Sequence, residues 1–426
     1  MTRPTAVRWH MIGLLVVMSA VGYMLRVNVS IAGAAMKTDL GLTEVQLGLV
    51  FSAFFVAYAL LQIPGGMFGE WLGPRRSLTW LILGWGVTTL LIGLVPPRAH
   101  APLWVILGSL VLLRGLQGAL QAPLYPISTC GTMVTWLPPA RWGVGNAVTL
   151  IGQTVGSAAT GPIGVWLIMH LGWRTAIVAA GPLTFGLAAV WWWYNRDDPR
   201  DHWRVNAKEL ELIASGRQVA AAEARVDWAS VVLNRNILLL TLSYFSMNYL
   251  FYLFFNWFFY YLTDVRHISP VTAGYFTGLQ WVVGAVGAGA GGIICDRLSA
   301  AFGVARGCRM TAMGGLLLAT PCLLLGAVVS NPVLMVVLLS LSFASTMLVD
   351  SPYWVATARI AGPRAPLAGG VLNTGGNLTG SVAAILVPLI AQGFGWVAAI
   401  CSGAVFGVTA AVLWIWIQAD RPIEGR

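Results

Sequence analysis

This chain reads as a succession of apolar runs, each near or above the roughly 20 residues that cross a bilayer as a helix. A soluble domain would interrupt such runs, because about a quarter of its residues would be Asp, Glu, Lys or Arg. Here that share is 9%, against 58% hydrophobic residues in a chain of 426. Backbone inside lipid must satisfy its own hydrogen bonds, so runs of this kind fold as helices. The sequence predicts an all-α membrane protein with twelve transmembrane helices. In the first half they fall near residues 10–35, 44–69, 77–95, 102–134, 142–168 and 173–194. In the second half they fall near 236–262, 271–295, 309–329, 332–358, 366–391 and 397–418. The first run is too long for a signal peptide and shows no small-residue cleavage site, so it is expected to remain as the first helix.

The only long polar stretch runs from Asn195 to Arg235 and separates the two sets of six. The chain thus divides into an N-terminal six-helix bundle (residues 1–195), a cytoplasmic linker (196–235) and a C-terminal six-helix bundle (236–426). Within the linker, Val205 to Val219 is patterned as a short amphipathic surface helix. With both termini in the cytoplasm, 19 of the 25 Lys and Arg lie inside, and only Lys37, Arg98, Arg174 and Arg266 outside. That asymmetry sets the orientation of a multi-pass protein of the inner or plasma membrane. The net charge of +10 follows loops rather than one basic face, so no nucleic-acid partner is expected. The five cysteines show no CxxC or Cys/His spacing, and neither a disulfide framework nor a metal site is supported. The chain has no P-loop lysine motif, HExxH or nucleophile elbow, so no cofactor or catalytic residue is expected, and neither an ATP-driven pump nor a membrane enzyme.

Two charges sit where charge is costly. Arg26 and Arg114 lie deep inside apolar runs, too far from either end for easy snorkelling. At that depth each costs about 2.5–3.5 kcal/mol even on the lenient insertion scale, so each should face a polar cavity and an anionic partner. A guanidinium offers two parallel donors to a carboxylate or phosphate. Fourteen of the fifteen acids fall in loops or at helix ends; the exception is Asp350. As an intramembrane acid it is expected to serve proton coupling, to form a gate or structural ion pair with an arginine as partner, or else to lie nearer the helix end as an ordinary residue.

The halves also echo each other. Gly66-Met-Phe-Gly-Glu70-Trp-Leu-Gly73-Pro-Arg75-Arg76 follows the second span, and Gly292-Ile-Ile-Cys-Asp296-Arg297 follows the eighth. Each pairs a glycine at a helix end with an acid four residues on, as expected of two pseudo-symmetric bundles around one path. With this loop the chain resembles the major facilitator superfamily, carrying Glu70 where an Asp is usual. More narrowly it resembles the anion:cation symporter family, which carries sugar acids and other organic anions. The resemblance rests on Tyr23-Met-Leu-Arg26-Val-Asn28, on Tyr58 with Gln62-Ile-Pro-Gly-Gly66, and on Arg114 with Pro123 and Pro126. Asn248-Tyr249 with Asn256-Trp257, and Asn373-Thr-Gly-Gly-Asn377, extend it to the second half.

The resemblance implies an alternating-access symporter or facilitative carrier. Arg26 and Arg114 would hold the anion, and Tyr23, Tyr58, Gln121, Asn256, Asn373 and Asn377 would line the site. Gly66, Glu70, Gly73, Arg75 and Arg76, with Asp296 and Arg297, would govern conformation by pinning cytoplasmic helix ends. Partners would be a small organic anion and the bilayer, the carrier itself a monomer. Leu25 and Gln121 stand where bacterial members carry the acids associated with proton coupling, which favours facilitated diffusion or exchange. An exporter of amphipathic compounds, or a non-transporting receptor of the same fold, are the alternatives.

Overall fold

The computed structural model describes residues 3–138, 141–215, 231–362 and 365–421. All regular structure among them is helical, and ten stretches are long and apolar enough to cross a membrane. The chain forms two compact units, residues 1–41 with 60–223 and residues 42–59 with 224–426. The first contains α1 (Val7–Leu40), α3 (Pro74–Gly93), α4 (Leu103–Gln121), α5 (Trp142–Val178), α6 (Gly181–Tyr194) and α7 (Ala207–Ala214). The second contains α8 (Arg235–Tyr260), α9 (Pro270–Phe302), α10 (Val304–Val328), α11 (Pro332–Leu348), α12 (Asp350–Ala361) and α13 (Ala365–Leu413). Helix α2 (Glu44–Leu72) gives its opening turns to the second unit and the rest to the first.

Local chemistry sets the helix ends. Thr43 and Gln46 form a reciprocal capping box before α2: the Thr43 amide donates to Gln46 Oε1 at 2.9 Å and the Gln46 amide to Thr43 Oγ1 at 3.2 Å. Ser269 caps α9 with Pro270 at the first helical position, where its missing N–H costs nothing. One joint recurs four times. Gly73, Gly172, Gly303 and Gly395 have φ of 81°, 77°, 87° and 84°, and ψ of 151°, 160°, 152° and 165°. Only glycine adopts this region at no cost, so each position breaks one helix and starts the next within a single residue.

Close packing follows from the absence of side chains. A Cβ on Gly152 or Gly156 of α5 would strike the carbonyl oxygen of Val16 or Ala20 on α1. In the second unit, Gly287 and Gly291 of α9 stand in the same relation to Ala344 and Leu348 of α11. Lipid offers no hydrophobic drive between helices, so such backbone contact is what holds them.

After Gln121, α4 is interrupted at Pro123, whose ring fits against Gly65 of α2, and resumes through a π segment at Ile127–Met133. Proline has no N–H to continue the ladder, and the wider π turn absorbs the mismatch.

The predicted linker helix exists, shorter than expected, as α7; residues 216–230 lie outside the described ones. Glu209 of α7 is fully buried. It accepts hydrogen bonds from the Ala6 and Arg8 amides at 2.8 and 3.2 Å and from the Arg8 guanidinium at 2.7 Å. Its carboxylate therefore satisfies orphan donors at the N-terminus of α1. Beside it, His202 stacks on Trp203 with centroids 4.5 Å apart and meets Trp136 edge-on at 5.5 Å.

Gly156→Val is expected to lower stability by about 1–3 kcal/mol, the range for overpacking a tight contact, measured by thermal melting in detergent. Burial first, then the Arg196 charge, holds the His202 imidazole below its ordinary pKa. The unfolded chain therefore takes up the proton first as pH falls. The contribution of neutral His202 is complete above the ordinary histidine value and is lost as pH drops below it. Melting temperature should fall between about pH 7 and pH 5, and His202→Gln should flatten that slope.

Candidate functional site

The two arginines occupy the first unit. Arg26 lies on a stretch of α1 buried from Leu25 to Gly33, and Arg114 of α4 is 1% exposed. The two positive charges act on one another. The Arg26 guanidinium rests over the Tyr23 ring, 4.6 Å from its centroid, a cation–π contact strengthened by burial. One Nη of Arg114 donates to Gln117 Oε1 at 2.5 Å. The Gln117 amide donates in turn to Thr89 Oγ1 of α3 at 3.1 Å. This chain of three fixes the rotation of the guanidinium through a neutral acceptor. Neither Gln117 nor Thr89 was expected from the sequence, although Gln117 lies one turn after Arg114 on the same helix face. Gln121, a further turn on, is buried, and its amide nitrogen makes no hydrogen bond among the described residues. Leu25 is buried as well.

The second unit gathers another set. Asn377 accepts the hydroxyl of Tyr252 at 2.9 Å and donates to the Asn373 backbone carbonyl at 2.8 Å and to its Oδ1 at 3.1 Å. Asn373 and Asn377, one turn apart on α13, thus form a single polar group with Tyr252 of α8. Asn256 is buried, with an amide nitrogen that no described residue satisfies. Tyr58 is buried and stacks on Phe54, centroids 5.9 Å apart. Asn248 and Tyr249 serve helix packing instead: Asn248 bonds the Tyr244 carbonyl of its own helix, and Tyr249 meets Ser402 at 2.9 Å.

Asp350 stands at the break between α11 and α12, where Val349 has φ −85° and ψ 0°. Among the described residues the partner of Asp350 is neutral. Asp350 accepts the Tyr244 hydroxyl at 2.9 Å, and among the described residues it forms no ion pair. Tyr244 is itself held edge-on against Tyr353 at 5.0 Å.

The loop after α2 is met by an acid from the linker. The Glu70 side chain lies outside the described residues, whereas Asp197 does the capping. Its Oδ1 accepts the Arg75 amide at 2.7 Å, and a Cβ on Gly73 would crowd its Oδ2 at 2.8 Å. The Arg75 guanidinium donates twice to the Trp192 carbonyl, at 3.0 and 2.7 Å, and lies over the Trp192 ring. Gly66 leaves room for Pro126. Arg76, Asp296 and Arg297 are exposed.

The family profile of the Major Facilitator Superfamily matches residues 12–366. The chain belongs to that superfamily. It is 32% identical to a probable sulfoacetate transporter of Cupriavidus necator, over 97% of this chain and 96% of that one. It is 29% identical to a D-galactonate transporter of Escherichia coli, over 93% and 92% of the two chains. A probable galactarate/D-glucarate transporter of the same species is 29% identical over 91% and 87%. The chain therefore groups with the sugar-acid and organic-anion carriers of the superfamily, which are transporters and not enzymes, and is a multi-pass integral membrane protein. Among solved structures it resembles a bacterial homologue of the human lysosomal transporter Spinster, with TM-score 0.79, 16% identity and coverage of 98% and 97%. That likeness concerns the fold.

Proposed function

We propose that this protein carries small organic anions across the inner membrane by alternating access, with Arg26 and Arg114 clamping the acidic group. The observation behind this reading is the burial of two like charges in one unit, one of them oriented by a relay of neutral side chains. Like charges in a low-dielectric interior raise the energy of the empty carrier, and an anion bound between them removes the penalty. Transport needs no bond-making group, only a site open to each side in turn. The relatives named above are a probable sulfoacetate transporter, a D-galactonate transporter and a probable galactarate/D-glucarate transporter. A sugar acid or another small carboxylate is the cargo class that suits two guanidinium forks beside neutral donors.

In this reading the breaks at Gly172 and Gly395 complete twelve transmembrane helices, in two six-helix bundles at residues 1–195 and 236–426 joined by the cytoplasmic linker. Both termini are cytoplasmic and the carrier is a monomer. Tyr23 positions Arg26, while Gln121, Tyr58, Asn256, Asn373 and Asn377 meet the uncharged part of the cargo. Gly66, Gly73, Arg75 and Arg76, with Glu70, Asp296 and Arg297, govern the conformational change. Asp350, bonded to a neutral tyrosine, acts as a gate residue that steadies the break in its span. Leu25 and Gln121 stand where bacterial members carry the coupling acids, which supports uniport or exchange over strict proton symport.

Counterflow of a labelled hexonate in proteoliposomes tests the clamp. Arg26→Ala and Arg114→Ala should each lower counterflow at least tenfold, since losing a charge-assisted bidentate contact costs about 1.5–3 kcal/mol; Arg114→Lys should recover only part of it. Intact flux in both alanine variants would instead favour an exporter of amphipathic compounds. Half-saturation for the anion should stay nearly constant between about pH 5 and 8, the range in which histidine would titrate.

A further inference from the structure

The second unit holds a pair of thiols that the transport reading does not use. Cys295 of α9 and Cys308 of α10 bring their Sγ atoms to 3.8 Å, and both side chains are fully buried. The two helices are joined by Gly303 alone. Just past that joint, Gly307 lies so close to Ser299 that a Cβ would fall 2.5 Å from its Cα and its Oγ. Helices pressed together at this level leave the next inward residues, Cys295 and Cys308, no room to separate. Thr311, one turn beyond Gly307, bonds back to the Gly307 carbonyl at 2.8 Å. A disulfide needs the sulfurs at about 2.05 Å, so the pair must close from 3.8 Å.

We propose that Cys295 and Cys308 form an oxidation-sensitive dithiol that staples the α9–α10 hairpin. With a peroxide as oxidant, one thiolate attacks the O–O bond, releases hydroxide and becomes a sulfenic acid. The second thiolate displaces hydroxide from that sulfur. Two thiols and one hydrogen peroxide thus give one disulfide and two waters. A cytosol rich in thiols keeps the pair reduced in ordinary conditions, and intracellular disulfides of this kind are transient and sensing rather than structural. The staple fixes the angle at Gly303. In a carrier whose helices must shift between states, it slows turnover and leaves anion binding in place. That last consequence rests on the transport reading; the chemistry does not.

Purified protein in liposomes is exposed to hydrogen peroxide, unfolded in denaturant and titrated with a maleimide. Wild type should lose two reactive thiols, mapped by peptide mass spectrometry to Cys295–Cys308 and restored by dithiothreitol. Cys295→Ser and Cys308→Ser should not form this crosslink. Hexonate counterflow should fall severalfold after peroxide in wild type, recover with dithiothreitol, and be insensitive to peroxide in Cys295→Ser. If all thiols remain reactive, or the lost ones map to Cys322 or Cys401, the dithiol assignment is wrong. A disulfide that forms without changing counterflow would overturn its role in turnover. Absence of counterflow in untreated wild type would strike the transport reading, and the thiol titration would still stand.

Discussion

Holding guanidinium groups inside a low-dielectric unit is the constraint around which the first unit is organised. A charge there is tolerated only if its surroundings fix it and a counter-charge can reach it. The packing around α1 and α4 serves the first need. Backbone contact at Gly152 and Gly156 sets α1 firmly against α5, and α4 turns Gln117 toward Thr89 of α3, so that Arg114 has an oriented acceptor. The cation–π contact with Tyr23 does the same for Arg26 by another route. None of these partners carries a formal charge. They fix where the two guanidinium groups point.

How much of this the sequence disclosed depends on the range of each interaction. Long apolar runs dictate helices by backbone chemistry alone, and charge at mid-run marks Arg26 and Arg114 by cost alone. Both signals are local. Gln117 is local too, one turn from Arg114, but an amide in a membrane helix has too many ordinary uses to single it out. Asp197 and Glu209 were hidden for a different reason. Each sits in a polar linker where an acid is unremarkable, and each acquires its role from groups far away in the chain, Arg75 for one and the start of α1 for the other. The acid that stood out near this loop was Glu70, read as pinning cytoplasmic helix ends, and its side chain lies outside the described residues. The fold uses an acid 122 residues distant from Arg75. For Asp350 the depth was legible in the chain; its tyrosine partner, 106 positions away, was not.

The thiols make the same point about distance. Cys308 lies 13 positions after Cys295, a spacing that matches no known motif. Only the one-residue joint between α9 and α10 folds that spacing back on itself. Cysteine spacing is informative when loops are rigid and short; here the informative quantity is the geometry of a helical hairpin.

The four glycine joints leave the chain without slack at those places. A loop of several residues absorbs an extra amino acid by bulging, whereas a one-residue connection between two helices passes it on. Inserting a single residue after Gly73 or Gly303 would turn the following helix by about 100° about its axis. The face selected for protein contact would then look toward the lipid. Length changes in descendants of this chain should therefore collect in the polar linker and the longer external turns, and the spacing across each joint should drift far less than the residues around it.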